Sequence, residues 1–432
     1  MNSREQLNNL FKGDKVIWIV FFLLCIVSVI EVYSASSSLG YKSGNYWAAA
    51  IKHSGLLLFG VGVMIVTHNI KCKYFKLATP ILVPLAIIML ILVYICGTKE
   101  NDAARWLSIA GIAIQPSEIA KGTMILATAQ ILSAMQTADG AAPKAMKYVL
   151  IAGAFLILPI APENLSTAAM LSGVVFMMMI IGRVPIKQLS ALVTVCIFII
   201  GLGIGSIFAF GTVPDNTLTE KEKMHLTEEV ATVNDGIPEA IKEKKEKKEE
   251  PSGVQKIGHR FNTWKGRIME FNNKEEVPPE KYDLDKNGQV GHARIAIASS
   301  EIKGRGPGNS VERDFLSQAF SDFIYAIVIE ELGILGAFGV AFLYVILLFR
   351  TGIIARRCKN PFPAYLAMGL ALLMVTQALF NMCVAVGIVP VTGQPLPLIS
   401  KGGTSSIINC MYIGVILSIS RTAARREDIQ ID

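Results

Sequence analysis

The chain has 432 residues, 52% hydrophobic and 17% charged, with a formal net charge of +7. Soluble domains carry about a quarter charged residues, so a soluble globular protein is excluded, and the basic excess points to membrane topology rather than to nucleic acid. Residues 211–322 alone hold 18 of the 41 basic and 21 of the 34 acidic side chains, which sets one soluble insert apart from two apolar tracts.

About 20 apolar residues cross a hydrocarbon core of ~30 Å. Runs of roughly that length follow one another at 16–36, 47–67, 76–96, 113–134, 147–161, 167–183, 189–211, 323–349, 362–387 and 404–420. The fifth is short, and the polar break at Pro162, Glu163 and Asn164 delimits it. The first is too long for a cleaved signal peptide and leads through a polar loop into another run. The expected fold is an all-α integral membrane protein of about ten transmembrane helices, with one large extracellular loop between spans seven and eight. Its parts are a cytoplasmic N-terminus (1–15), spans one to seven (16–211), the loop (212–322), spans eight to ten (323–420) and a cytoplasmic C-terminus (421–432).

The basic residues fix this orientation. Arg4, Lys12 and Lys15 precede span one, and Lys71, Lys73 and Lys76 follow span two. Lys144 and Lys147 follow span four, Arg183 and Lys187 span six, Arg350, Arg356, Arg357 and Lys359 span eight, and Arg421, Arg425 and Arg426 span ten. With an even number of spans all of them share the side of both termini, and the positive-inside rule makes that side cytoplasmic.

Within the insert, residues 214–256 are low in complexity, with a Lys/Glu run over 242–250 that reads as a solvated helix or disorder. From His259 onward aromatic and glycine residues return. Arg260 lies in His259-Arg260-Phe261-Asn262-Thr263-Trp264, a mixture of cations and aromatics suited to a membrane interface. The insert holds none of the seven cysteines, which argues against a disulfide framework, and the five histidines form no ligand-spaced cluster. Asp283-Leu284-Asp285-Lys286-Asn287-Gly288 begins like a calcium loop, but its twelfth position is Arg294 where a bidentate Glu is needed.

Few ionisable residues fall inside spans, and those that do are functional candidates. Glu31 and Lys52 lie where they can reach an interface. In Gln115-Pro116-Ser117-Glu118-Ile119-Ala120-Lys121 the i, i+3 spacing places Glu118 and Lys121 on one helix face, with Pro116 in the first turn and Ser117 as its cap. They form either an internal ion pair or the polar wall of an outward cavity in which Lys121 holds a phosphate. Arg105, beside Trp106, is either an interfacial anchor or an anion clamp. Asp322, in Ser321-Asp322-Phe323, can cap span eight, act as a general base at the outer surface, or do both. Gly304-Arg305-Gly306-Pro307-Gly308-Asn309-Ser310 is a tight turn or a phosphate nest. The stretch Pro390 to Ser406, with Thr392, Ser400 and Lys401, is too rich in Pro and Gly for a helix and is expected to line the same cavity.

Five motifs, in order and over nearly the whole chain apart from 214–256, resemble those of the SEDS (shape, elongation, division, sporulation) peptidoglycan glycosyltransferases. They are Arg105-Trp106; Gln115-Pro116-Ser117-Glu118 with Lys121; Gly304-x-Gly306-x-Gly308; Ser321-Asp322-Phe323 with Glu330-Glu331-Leu332-Gly333; and Thr392-Gly393 through Leu396-Pro397 and Ser400 to Gly402-Gly403. The last resembles the division branch more than the elongation branch. Asn164 stands where the family often has an acid, and Phe320 where it often has a His. The resemblance implies polymerisation of lipid II at the outer face of the cytoplasmic membrane, at the division septum, with undecaprenyl pyrophosphate as leaving group. It gives Asp322 the role of base and Arg105, Glu118, Lys121, Arg260, Ser310, Thr392, Ser400 and Lys401 that of binding substrate. It implies no certain cofactor, although a divalent cation (Mg or Mn) could share the pyrophosphate charge. Implied partners are lipid II, a class B penicillin-binding protein, other division membrane proteins and membrane lipid, with no nucleic acid. A lipid II transporter and a non-catalytic division scaffold are the competing readings.

Overall fold

Each of the ten apolar runs falls on a helix in the computed structural model, which describes residues 12–35, 48–100, 103–109, 112–210, 284–316 and 321–424. The helices are α1 (Lys15–Ala35), α2 (Ala48–Asn69), α3 (Cys72–Cys96), α4 (Pro116–Ala134), α5 (Lys144–Leu156), α6 (Leu165–Ile181), α7 (Ile186–Phe210), α8 (Leu284–Ala298), α9 (Ile324–Arg357), α10 (Pro361–Ala385) and α11 (Thr404–Ala424). The additional helix, α8, lies in the last part of the insert and covers the calcium-like stretch from Leu284 on. Arg260 and the segments 214–256 and 259–267 lie outside the described residues.

Among the described residues, seven helices are long and apolar enough to cross a membrane: α1, α2, α3, α7, α9, α10 and α11. This is a multi-pass membrane protein. Of the remaining three expected spans, α6 is apolar but 17 residues long and α5 has 13. α4, with 19 residues, carries the Glu118 and Lys121 charges.

The structure departs from an all-helical reading at three places. Residues ahead of α4 form a small antiparallel sheet, in which β2 (Ala103–Ile109) pairs with both β1 (Thr98–Glu100) and β3 (Ile112–Ile114). Span four therefore starts at Pro116, whose ring clashes with helical backbone on its N-terminal side. A second two-stranded piece, β4 (Gln136–Thr137) with β5 (Gly140–Ala141), turns the chain into α5. α5 gives way to a 3-10 turn at Leu158–Ile160, because Pro159 cannot continue the hydrogen-bond ladder.

The chain divides into two compact units, residues 1–191 with 277–432, and residues 192–276. The described part of the second is the C-terminal portion of α7. In the first, α10 is buried along most of its length and packs against α4, α6, α9 and α11. Small residues permit the closest approaches. A Cβ on Gly414 of α11 would lie 2.2 Å from Thr67 Oγ1 of α2, and one on Gly122 of α4 would lie 2.6 Å from the Tyr412 hydroxyl.

Candidate active site

Asp322 is half-buried in the turn that enters α9. The expected cap is not made by it or by Ser321: the helix begins from Phe323, with no side-chain cap bond. Ser321 Oγ instead donates to Asp322 Oδ1 at 2.9 Å. The backbone here is fixed from two directions. Asn381 Nδ2 of α10 donates to the Asp322 carbonyl at 2.9 Å, and Ser400 Oγ donates to the Ser321 carbonyl at 2.6 Å.

Ser400 belongs to the segment between α10 and α11, which is irregular, as its Pro and Gly content predicts. Backbone without regular structure survives away from water only if its polar groups find partners, and here side chains from the surrounding helices supply them. Ser28 Oγ of α1 donates to the Ile399 carbonyl at 2.8 Å, and the Tyr344 hydroxyl of α9 donates to the Pro397 carbonyl. From α10, Gln377 Nε2 donates to the Pro395 carbonyl at 2.9 Å and Asn381 Nδ2 also reaches the Gln394 carbonyl at 2.7 Å. Gln394 Nε2 in turn donates to Thr167 Oγ1 of α6. That helix is capped by Asn164, whose Oδ1 accepts from the Thr167 N–H at 3.0 Å. Thr392 is buried, and its hydroxyl has no hydrogen-bond partner among the described residues. Lys401 is half-buried, and burial together with the nearby Lys52 charge lowers its pKa below the ordinary lysine value.

Glu118 and Lys121 form an ion pair at 2.8 Å, with side chains 4% and 1% exposed. Lys121 Nζ also donates to Gln377 Oε1 at 2.8 Å, so the pair is joined through Gln377 to the Pro395 carbonyl of the loop. Ser117 does not cap α4; Gln115 occupies the cap position without a side-chain bond. The ammonium of Lys121 is engaged by its own helix and by α10, as an internal ion pair would be. Arg105 lies on β2, and Arg260 is outside the described residues.

The glycine turn at 304–310 is filled by the protein's own carboxylates. Glu331 Oε2 accepts from the Gly308 N–H at 2.9 Å and its Oε1 from the Ser310 N–H at 3.2 Å and from Ser34 Oγ. Glu330 Oε1 accepts from the Val311 N–H at 2.9 Å, and its Oε2 from Ser310 Oγ. Arg313 Nη1 closes the cluster on Ser34 Oγ and on the Gly308 carbonyl, at 3.0 and 2.6 Å. The anion that this nest holds is the pair of glutamates at the start of α9, and Ser310 is bonded to both. Gly333 just beyond them has φ 70° and ψ −175°, which breaks the helix. The Glu330 and Glu331 carbonyls released there accept from the Arg305 and Gly306 N–H groups at 2.9 and 2.8 Å.

Asp322, Ser400 and, through Gln377, the Glu118–Lys121 pair thus share one polar framework around the loop. Sequence reasoning does not reach Gln377 and Asn381, two amides inside a long apolar run. Their mid-span position is the signal that could have found them, since a buried amide needs partners. His292 of α8 is also missed; its Nδ1 lies 2.6 Å from Glu312 Oε2.

Residues 14–211 and 257–425 match the family model for the FtsW, RodA and SpoVE cell cycle proteins. The chain belongs to this FtsW/RodA/SpoVE family. Relatives include proteins named probable peptidoglycan glycosyltransferase FtsW from Halomonas elongata and Enterococcus hirae. The first is 27% identical over 94% of this chain and 90% of its own length, the second 27% over 98% and 96%. The FtsW/RodA fold is shared with a chain of a peptidoglycan synthase complex that coordinates polymerization and crosslinking, with TM-score 0.64 and 19% identity over 96% of this chain and 99% of that one. It is shared too with Thermus thermophilus rod shape determining protein RodA, with TM-score 0.58 and 19% identity over 96% and 98%. In this fold four of the five sequence motifs flank the loop framework or the glutamate nest, and Arg105-Trp106 lies on the sheet ahead of α4.

Proposed function

We propose that this FtsW/RodA family member is a peptidoglycan glycosyltransferase that polymerises lipid II, with Asp322 as general base. The observation that carries the reading is the position of Asp322: it is half-buried, its turn is clamped by Asn381 and Ser400, and it takes no part in capping the helix behind it. A carboxylate in a fixed backbone can be aimed at an incoming hydroxyl. In the proposed step Asp322 takes the proton of the acceptor's C4 hydroxyl, the oxygen attacks the donor's anomeric carbon, and undecaprenyl pyrophosphate leaves with the bonding pair. The single displacement turns an α-linked donor into a β-linkage. No nucleotide is needed, because the donor carries its own leaving group. Base help of this kind contributes about 10²–10⁴-fold. Arg105, Arg260 and Lys401 are the cations proposed to meet the pyrophosphate, while Lys121, already held by Glu118 and Gln377, would position the loop.

Among the described residues no three His, Cys, Asp or Glu side chains converge on a possible metal position. An ion arriving with substrate would draw its ligands mainly from the pyrophosphate.

The names of its relatives support a division role at the septum, and the synthase-complex neighbour supports a class B penicillin-binding protein as partner. The test is reconstitution of the full chain with that transpeptidase and lipid II in liposomes, with glycan products resolved on gels. Wild type is expected to make polymer and Asp322→Asn none above background. Polymer from Asp322→Asn at the wild-type rate overturns the base assignment. Transfer of fluorescent lipid II across the bilayer without polymer would make the protein a transporter.

A further inference from the structure

At the opposite ends of α9 and α10 from Asp322 and the loop, a cavity of about 720 Å³ opens between the starts of α3 and α10 and the ends of α2, α9 and α11. Its wall includes Lys71, Lys73, Lys76, Arg357, Lys359 and Arg421, and among the described residues no acidic side chain lines it. Basic residues at the ends of spans are expected from topology alone, but topology does not require that six of them converge on one concavity.

The helix termini point the same way. The N-termini of α3 and α10 both open onto the cavity, and their cap residues, Lys71 and Asn360, make no side-chain cap bonds. The first amides of α3 and, in α10, that of Phe362 between Pro361 and Pro363, which have no N–H, present partial positive charge. The helices that end nearby contribute opposing half charges, which six full cations outweigh. His68 in the wall is held by its Nε2 on the Lys12 carbonyl. Apolar side chains, Ile70 and Phe362 among them, line the rest and suit an amphiphile.

We infer that this cavity is a binding site for a phosphate group, supplied by an anionic phospholipid headgroup or by a soluble phosphate. Arg and Lys bind phosphate oxygens through charge-assisted hydrogen bonds, and the site stands a helix length from the proposed catalytic turn. It is independent of the glycosyl-transfer reading.

The test uses the full chain purified in an uncharged detergent and native mass spectrometry. One arm adds dioleoylphosphatidylglycerol or dioleoylphosphatidylcholine, and the other adds inorganic pyrophosphate without lipid. Phosphatidylglycerol is expected to bind at least about tenfold more tightly than phosphatidylcholine, since each juxtamembrane cation contributes about a factor of five. The triple variant Lys73→Gln/Lys76→Gln/Lys359→Gln, at exposed positions, is expected to lower that binding about a hundredfold and to leave the thermal midpoint unchanged. Lys144→Gln/Lys147→Gln/Lys187→Gln removes the same charge from the ends of other helices and is expected to leave binding intact. Pyrophosphate binding with the same sensitivity to the first triple, without lipid preference, assigns the site to soluble phosphate. Failure of both ligands to bind, or equal behaviour of the two triples, overturns the proposal.

Discussion

Gly304 and Gly333 meet backbone to backbone. A Cβ on Gly304 would stand 2.3 Å from the Gly333 nitrogen, and one on Gly333 would stand 2.4 Å from the Gly304 nitrogen. This contact lets the 304–306 turn donate to the two carbonyls released where α9 breaks. It thereby seats Glu330 and Glu331 in the N–H groups of 308–311.

Gly333→Ala is therefore expected to destabilise the protein strongly. Its φ of 70° with ψ of −175° is a conformation essentially reserved for glycine, at about 1–3 kcal/mol for another residue, and the added methyl overlaps backbone that cannot yield. Gly339→Ala in the same helix meets nothing within 4 Å and is expected to be neutral or mildly stabilising. Thermal midpoints of the two purified variants check this; equal midpoints would show that the contact is not required.

Asp322→Asn should separate stability from activity. Because Asp322 does not cap α9, the usual loss of about 1 kcal/mol for a removed N-cap is not expected, and the thermal midpoint should stay at the wild-type value. Polymerisation should fall by about 10²–10⁴-fold. A large drop in midpoint would return Asp322 to a structural role.

The Glu118–Lys121 pair is sealed from solvent, so removing one partner leaves the other charged and unpaired. Losses for a broken buried pair are about 3–5 kcal/mol. Lys121→Met and Glu118→Gln are each expected to lower stability clearly, and the double variant to recover much of the loss. A double variant as unstable as the sum of the singles would mean that the two charges act independently. Gln377→Leu, which severs the link from Lys121 to the Pro395 carbonyl, is expected to reduce activity through the loop.

Lys401 gives a pH signature. Its pKa in the folded protein is lowered, first by burial and then by Lys52, so over the window between that value and the ordinary lysine value of 10.5 the unfolded chain binds more protons than the folded one. Stability from this group therefore rises with pH through the window, and below it the full cost of the buried charge is present. The thermal midpoint of Lys401→Met should exceed wild type near neutrality, and the gap should narrow as pH is raised toward 10. A gap that widens with pH would contradict the direction of the shift.

The sequence by itself determined the helices and most of their limits, because a run of about twenty apolar residues has one stable form in a bilayer and Pro or Gly marks where it stops. It also brought Asp322, Glu118, Lys121 and Ser400 into view, since a charge or a proline-rich break is conspicuous against an apolar background. What occupies each polar group was decided by tertiary structure. The glycine turn reads equally as a phosphate nest until Glu330 and Glu331, about twenty residues on, fill it. The cap expected from Asp322 is not made, because the helix begins from Phe323, and the turn's carbonyls are held by Asn381 and Ser400, 59 and 79 residues away. The basic cavity gathers residues from 68 to 423 that no local pattern joins. Apolarity acts locally along the chain, whereas a buried donor must find its acceptor wherever packing brings one, and that pairing is fixed only when the helices assemble.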